Sequence, residues 1–97
     1  MQRSFVYIIK CKDDSYYVGM TSNLEQRWLD HQKGTFENSY TGKRRPLQLV
    51  YFAEFTTIVQ AITMEKQIKK WSRAKKEALI RGDLEDLVQL AKKKFNK

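Results

Sequence analysis

The sequence has few of the features that mark secreted or membrane proteins. No stretch of its 97 residues approaches the roughly 18 consecutive apolar residues that a membrane-spanning helix needs. The apolar run from Phe5 to Ile9 ends at Lys10 and is too short for the hydrophobic part of a signal peptide. The single cysteine, Cys11, excludes an internal disulfide. These absences predict a cytoplasmic protein with no membrane contact and no disulfide partner.

Acidic residues are scarce relative to basic ones. There are 11 Asp and Glu residues against 19 Lys and Arg, which gives a net charge of +8. A chain this basic attracts polyanions, so the composition favours a nucleic-acid partner, and a basic soluble protein without one is the alternative. A hydrophobic content of 41% over 97 residues predicts a single domain spanning residues 1–97 with one modest core.

The strand and helix patterns follow the order β-β-α-β-α-α-α, which predicts an α+β fold. Side chains alternate over three predicted strands, Ser4–Cys11, Ser15–Met20 and Leu47–Phe55. Four helices are predicted, from near Asn23 to Gly34, from Ile58 to Lys70, from Ser72 or Arg73 to Ile80, and from Asp83 to Lys94. The first two strands form an antiparallel hairpin.

Capping signals mark where the helices begin and end. Ser22 and Glu25 match a capping box that starts the first helix, and Gly34 is a natural stop for it. Thr56 and Thr57 each offer an N-cap to the second helix.

Two tyrosines ten residues apart, Tyr7 and Tyr17, lie on the two strands of the predicted hairpin. Whether they share a face depends on the loop, because side chains alternate along a strand. A three-residue loop, 12–14, puts both on one face, whereas a loop of two or four residues points them to opposite faces. A shared site needs the odd loop or a bulge, and the sequence leaves both possibilities open.

The inward face of the first helix carries two polar side chains. Leu24, Arg27, Trp28 and His31 recur at the spacing of one helical stripe. Arg27 and His31 are one turn apart, so they can converge on one ligand. The alternative is that Arg27 pairs with a core carboxylate and that His31 is a partly exposed end of the stripe.

A carboxylate falls inside the apolar stripe of the second helix. Glu65 shares that stripe with Ile58, Ala61, Ile62 and Ile68. Burying it without a partner would cost several kcal/mol or cause it to take up a proton. We therefore expect Glu65 either to form an ion pair with Arg27 or to bind Mg²⁺, which keeps most of its waters and needs few protein ligands.

A tyrosine can act as a general base near neutral pH only if its surroundings favour the phenolate, because its ordinary pKa is about 10. A nearby cation such as Arg27, or a hydrogen bond to His31, would favour the phenolate. Arg27 would also stabilise charge that develops on a scissile phosphate. Any single tyrosine is more simply a packing residue, and Tyr16, Tyr40 and Tyr51 are assigned to that class.

Two basic segments are predicted to contact nucleic acid. One lies in the loop before the third strand, and the other has five cations and no acid in its eight residues, 69–76. Such segments suit a phosphate backbone, and an interleaved tryptophan suits a stacked base. The assigned residues are Lys43, Arg44, Arg45, Lys69, Lys70, Trp71, Arg73, Lys75 and Lys76. The alternative for the second segment is a solvated basic face with Trp71 turned inward.

Taken in order, the candidate residues resemble the GIY-YIG nuclease superfamily. The resemblance is carried by Phe5-Val6-Tyr7, Tyr17-Val18-Gly19, Arg27, His31 and Glu65. Shorter matches continue to residue 76, so the similarity covers nearly the whole chain. It is greatest to the short stand-alone bacterial members, in the branch named for the catalytic domains of a bacterial excinuclease and of intron endonucleases.

The resemblance implies a small three-stranded antiparallel sheet flanked by helices, and hydrolysis of a DNA phosphodiester with one Mg²⁺ or Mn²⁺ ion. It implies that Tyr7 and Tyr17 are catalytic, one of them as the general base. Arg27 would stabilise the transition state, and His31 would orient or activate a tyrosine. Glu65 would hold the metal ion.

The match is incomplete at some positions. Phe5 stands where the family has its first motif glycine, and Met20 stands where some members have a lysine. Gly19 matches the family and would let the backbone pass close to the site. An asparagine that many members carry after the glutamate has no clear equivalent.

The first hypothesis is a metal-dependent DNA endonuclease of repair or recombination. The others are a non-catalytic nucleic-acid-binding module and an adaptor that docks a partner through Leu84 to Leu90.

Overall fold

The computed structural model describes residues 3–34 and 40–82. They form β1 (Ser4–Lys10), β2 (Tyr16–Thr21), α1 (Leu24–Lys33), β3 (Gln48–Phe55), α2 (Ile58–Lys70) and α3 (Arg73–Arg81). The α+β class and the predicted order of these six elements are confirmed. The helix predicted from Asp83, with its docking surface, lies outside the described residues. Within the described ranges, no helix is long and apolar enough to cross a membrane.

The three strands form one antiparallel sheet in the order β2-β1-β3, so β1 is central. In the hairpin, Tyr7 lies opposite Gly19 and Ile9 lies opposite Tyr17. The amide of Cys11 donates to the carbonyl of Ser15 at 2.9 Å, which leaves a three-residue loop. The odd loop puts Tyr7 and Tyr17 on the same face, and this decides between the two registers that the sequence left open.

The two faces of the sheet bury different sets of side chains. The face that we call the tyrosine face carries Tyr7, Ile9, Cys11 and Tyr17, and it packs against Leu24 and Trp28 of α1. The face that we call the aliphatic face carries Val6, Ile8 and Val18, and it packs against Ala61 and Ile68 of α2. The sheet is therefore the middle layer between α1 on one side and α2 on the other.

The first helix begins at a different cap from the predicted one. Asn23 is the N-cap of α1, and its Oδ1 accepts from the amide of Gln26 at 3.1 Å. The predicted capping box of Ser22 and Glu25 is therefore wrong. The residue directly before the first helical turn is an asparagine, whose short side chain reaches the free amide itself. Gly34 ends the helix with a φ of 73°, as predicted.

Candidate active site

Tyr7, His31 and Thr41 form a buried chain of hydrogen bonds, which we call the relay. Tyr7 Oη lies 3.0 Å from His31 Nε2, and His31 Nδ1 lies 2.8 Å from Thr41 Oγ1. The three residues are only 1%, 4% and 1% exposed, respectively. A neutral imidazole offers one donor and one acceptor nitrogen, so the relay satisfies both sides of the ring. The relay joins β1, α1 and the loop before β3.

His31 is neutral at physiological pH. Burial and the positive charge of Arg27 both lower the pKa of His31, while Asp30 acts weakly in the opposite direction. Because His31 is only 4% exposed, the alternative of a partly exposed histidine is wrong. A neutral ring can accept a hydrogen bond from the Tyr7 hydroxyl, which a doubly protonated ring cannot do.

Tyr7 remains protonated in this environment. Burial, assisted by the neighbouring Tyr17, raises the pKa of Tyr7 to about 12, although the charge of Arg27 and its hydrogen bond to the phenol act to lower the pKa. The expectation that Arg27 and His31 would favour the phenolate is therefore wrong for Tyr7. Desolvation of the charged form outweighs one cation when the phenol is this deeply enclosed.

Tyr17 lies between the relay and the surface. Its ring centroid is 6.3 Å from that of Tyr7, 5.6 Å from that of His31 and 6.2 Å from that of Tyr40. The structure thus brings the two predicted tyrosines together with His31. Tyr17 is half-buried and borders an open cleft of about 370 Å³, which we call the aromatic cleft. The aromatic cleft is lined by Tyr16, Tyr17, Val18, Tyr40, Lys69 and Lys76.

Gly19 makes room for this arrangement. It pairs with Tyr7 across the hairpin, and a Cβ at this position would lie 2.5 Å from Tyr7 Oη and 2.6 Å from Tyr7 Cζ. It would also lie 3.0 Å from Cε2 of Tyr17. The ring of Tyr7 is held by its bond to His31, so it cannot move aside without breaking the relay. Only a glycine lets both tyrosines occupy one face here.

Glu65 approaches the site from the helix on the other side of the sheet. Its side chain is 20% exposed and forms an ion pair with Lys69 at 3.6 Å. Lys69 lines the aromatic cleft together with Tyr17. The negative charge of Glu65 also contributes to the raised pKa of Tyr7, so the carboxylate lies close enough to act on the relay. Glu65 is therefore connected to the aromatic cleft through its ion-pair partner Lys69.

The donor set fits only a metal ion that keeps most of its own waters. Among the described residues there is no cluster of three or more His, Cys, Asp or Glu side chains that could hold a metal ion. Glu65 offers a single carboxylate close to the cleft, and Mg²⁺ is commonly bound by one or two carboxylates together with waters and substrate phosphate. Glu65 thus suits Mg²⁺ or Mn²⁺ and does not suit a closed structural site.

The three predicted cations of the loop before β3 line two different cavities. Lys43 and Arg44 border a cavity of about 450 Å³ with Lys12 and Asp13, and Arg44 pairs with Asp13 at 3.0 Å. Arg45 instead turns toward the end of α1, where it lines a separate cavity. Lys43 is exposed on the side of the hairpin loop, whereas Arg44 is already bonded to Asp13 and to the carbonyl of Tyr40.

The cations of the second basic segment, residues 69–76, also lie in different surroundings. Of its cations, Lys69 and Lys76 line the aromatic cleft. Arg73 pairs with Glu77 at 3.3 Å, and the ammonium of Lys75 lies 4.3 Å from the Trp71 ring centroid. Trp71 is half-buried and packs against the aliphatic cluster, so its ring is not an open platform for a base.

Sequence reasoning missed Thr41 and underestimated Tyr40. Both lie in the loop before β3, where no helical or strand period identifies which side chains turn inward. Thr41 completes the relay from a buried position. Tyr40 stacks beside Tyr17 and is 41% exposed. The only signal in the sequence was that both belong to a segment resembling the family.

Comparison with known proteins gives the same family. The family model described as the GIY-YIG catalytic domain matches residues 3–78. The UPF0213 protein of Syntrophus aciditrophicus is 39% identical over 88% of this chain and 98% of its own length. The UPF0213 protein SSP2268 of Staphylococcus saprophyticus is 44% identical over 82% of this chain and 96% of its own. The matched relatives are therefore similarly short proteins.

Solved structures agree with the sheet and helices described above. The solution NMR structure of the UPF0213 protein BH0048 from Bacillus halodurans has a TM-score of 0.55 at 37% identity, covering 81% of this chain and 83% of that one. The solution NMR structure of the protein EF2693 from E. faecalis has a TM-score of 0.60 at 30% identity, covering 84% and 86%. The chain therefore belongs to the GIY-YIG nuclease family.

Proposed function

We propose that this protein is a metal-dependent DNA endonuclease that hydrolyses phosphodiester bonds, with one Mg²⁺ or Mn²⁺ ion held by Glu65. The observation that carries the proposal is the convergence of two tyrosines with Arg27 and His31 on one face of the sheet. A carboxylate approaches this group from the other face. We also propose a cytoplasmic role in DNA repair or recombination for the single domain.

The two tyrosines receive different roles because they differ in access. Tyr7 is enclosed and protonated, so it acts as a positioning residue that donates to neutral His31 and accepts from Arg27. Tyr17 borders the aromatic cleft and is the tyrosine that can contact an attacking water. General bases must lie within hydrogen-bond reach of the proton that they take, and Tyr17 meets this condition more readily than Tyr7.

Arg27 provides the positive charge for the reacting phosphate. Its guanidinium lies beside Tyr7 and His31, whose pKa values both respond to it. A fixed cation in a partly water-excluded site stabilises charge that develops in the transition state more strongly than it would in water. When bound, a divalent ion supplies further stabilisation of the phosphate charge.

The test is metal-dependent cleavage of plasmid, branched and single-stranded DNA by the wild type and by Glu65→Gln. Glu54→Gln is the matched control. Glu54 is also a carboxylate, but it pairs with Arg3 and lies on β3, at the opposite edge of the sheet from β2. We expect cleavage with Mg²⁺ or Mn²⁺ by the wild type and by Glu54→Gln, and at least a 100-fold loss, on the order expected for a critical polar group, in Glu65→Gln. Cleavage that survives in Glu65→Gln or in excess chelator would contradict the proposal.

A non-catalytic nucleic-acid-binding module is the second candidate. The ion pair between Lys69 and Glu65 favours it, because the lysine places a cation beside the one carboxylate proposed for the metal. This candidate predicts DNA binding that weakens steeply with salt and no cleavage with any divalent ion. Measuring affinity at several salt concentrations alongside the cleavage assay separates the two candidates.

A further inference from the structure

The aromatic cleft contains more than the proposed catalytic roles require. Among its lining residues within 3–34 and 40–82, Tyr17 alone has a role in the proposed chemistry. The others supply two further aromatic rings, one aliphatic side chain and two ammonium groups: Tyr16, Tyr40, Val18, Lys69 and Lys76. The volume of about 370 Å³ falls within the range of roughly 300–1,000 Å³ that is common for small-molecule sites. Flat apolar walls beside cations suit a nucleobase with its attached phosphate.

Tyr40 is held in position by its neighbours although 41% of its surface is exposed. The guanidinium of Arg44 lies 3.8 Å from the centroid of the Tyr40 ring, and Tyr17 stacks beside it at an interplanar angle of 27°. Arg44 also donates to the carbonyl of Tyr40 at 3.0 Å and to Asp13 at 3.0 Å. Arg44 therefore covers one face of the Tyr40 ring, and the part of the ring that stays exposed is fixed, so it can contact a base with little further ordering.

Cations border Tyr40 on two sides. Lys69 and Lys76 lie in the aromatic cleft. The cavity at the hairpin loop is lined by the cations Lys12, Lys43 and Arg44 and by Asp13, which pairs with Arg44. Arg44 belongs to the second cavity and also touches Tyr40, so the two basic regions are continuous through it. A single strand can follow such a basic path with its phosphates while one base turns inward to an aromatic ring. A base inside a duplex is stacked and paired, and it cannot enter.

We infer that the aromatic cleft binds the base of an unpaired nucleotide next to the phosphate to be cleaved, stacking it against Tyr40 with Lys69 and Lys76 on its phosphate. The inference rests on the proposed function for its placement beside a cleaved phosphate. It assigns a ligand contact to Tyr40, which the catalytic group does not use.

The inference is tested by binding in chelator, so the result does not depend on cleavage. An oligonucleotide with one 2-aminopurine is measured single-stranded and annealed to its complement, against the wild type, Tyr40→Ala and Tyr40→Phe. Phe52→Ala is the matched control, since Phe52 is an exposed aromatic on β3 that pairs with Tyr7 across the sheet and does not line the aromatic cleft. We expect Tyr40→Ala to weaken single-strand binding by about 5- to 100-fold, the range for a lost base–aromatic stack, and to leave duplex binding almost unchanged. Tyr40→Phe and Phe52→Ala should resemble the wild type.

Several results would overturn the inference. One is an equal loss of single-strand and duplex binding in Tyr40→Ala, or a loss in Phe52→Ala as large as that in Tyr40→Ala. Another is Tyr40-dependent binding of a free mononucleotide as tight as that of the oligonucleotide, which would make the cleft a nucleotide site unrelated to DNA. With the wild type alone, stacking should quench the 2-aminopurine on binding, and a rise in fluorescence would count against it. If the wild type binds as expected but never cleaves, the proposed function fails and the base site remains.

Discussion

The central strand β1 buries Val6 and Ile8 on one face of the sheet and Tyr7 and Ile9 on the other. On the aliphatic face, Val6 and Ile8 meet hydrocarbon from α2. On the tyrosine face, Tyr7 meets an imidazole and through it a hydroxyl, in an interior that is equally closed to water. The same strand thus supports a plain core on one side and a buried polar relay on the other.

Because of this difference, substitutions on the two faces should lower the free energy of unfolding for different reasons. An aliphatic contact loses free energy roughly in proportion to the volume removed, and it leaves no polar group stranded. A relay member that loses its partner leaves a buried donor or acceptor unsatisfied, which costs about 1–3 kcal/mol and disturbs the geometry of the remaining members. Substitutions on the two faces should therefore separate activity from stability.

The largest effect is expected from Tyr17→Phe. Removing this hydroxyl should lower the rate of metal-dependent cleavage by about 10²–10⁴-fold, the contribution typical of a general base. Tyr17 is half-buried and its ring contacts are retained in phenylalanine, so the free energy of unfolding should change by less than about 1 kcal/mol. Single-turnover cleavage and denaturant unfolding measure the two quantities. A rate close to that of the wild type would move the base role away from Tyr17.

Ile8→Ala should produce the reverse pattern on the aliphatic face. Ile8 is fully buried, and its truncation should lower the free energy of unfolding by about 2–5 kcal/mol. Ile8→Val should lower it by about 0.5–1.5 kcal/mol. Cleavage per folded molecule should be retained in both variants. Denaturant titration together with cleavage at low temperature gives the comparison, and a loss of rate that exceeds the loss of folded protein would show that the faces are coupled.

Gly19→Ala should affect both properties, because the added Cβ would overlap Tyr7. Overpacking of this kind typically costs about 1–3 kcal/mol. Displacing the Tyr7 ring should also break its bond to His31 and reduce cleavage. Thermal unfolding and cleavage check the two effects. In the double variant Gly19→Ala with Tyr7→Ala, the loss of stability should be smaller than the sum of the two single losses, because the overlap is gone, and additive losses would contradict the overlap.

The smallest expected effect is a pH dependence from His31, the chain's single histidine. Because its pKa is lowered in the folded state, the unfolded chain takes up the proton first as the pH falls. Stability should therefore be fully present above the ordinary histidine pKa of about 6.5 and should decline over the pH range below it. Denaturant unfolding across this range, for the wild type and His31→Gln, measures the slope. An equal slope in His31→Gln would assign it to other groups.

The strands, the order of the elements and most helix ends could be predicted because they depend on local periodicity and caps, whereas the three-stranded antiparallel sheet was implied by the family resemblance. The sequence could not predict the register of the hairpin. The turn residues 12–14 suit several loop lengths, and only backbone pairing determines that the loop is odd. A one-residue difference there would have separated Tyr7 from Tyr17, so the convergence of the candidate site depended on a feature that composition does not specify.

Other parts of the candidate site were beyond sequence reasoning for physical reasons. Thr41 lies in a loop without a period, so its burial follows only from the tertiary fold. The pKa of Tyr7 depends on the balance between desolvation and one cation, and the sequence identified the cation but not the depth of burial. Glu65 was recognised because a carboxylate in an apolar helical stripe is an anomaly that needs a partner.

Glu65 connects the two faces through Lys69, since its helix packs on the aliphatic face while its ion-pair partner Lys69 lines the aromatic cleft with Tyr17. The most direct test is paramagnetic broadening of NMR resonances by Mn²⁺ in the wild type, Glu65→Gln and Glu54→Gln. We predict broadening centred on Glu65 that extends to Tyr17 and Tyr7, disappears in Glu65→Gln and persists in Glu54→Gln. Broadening centred elsewhere, or unchanged in Glu65→Gln, would contradict a metal site shared by the two faces.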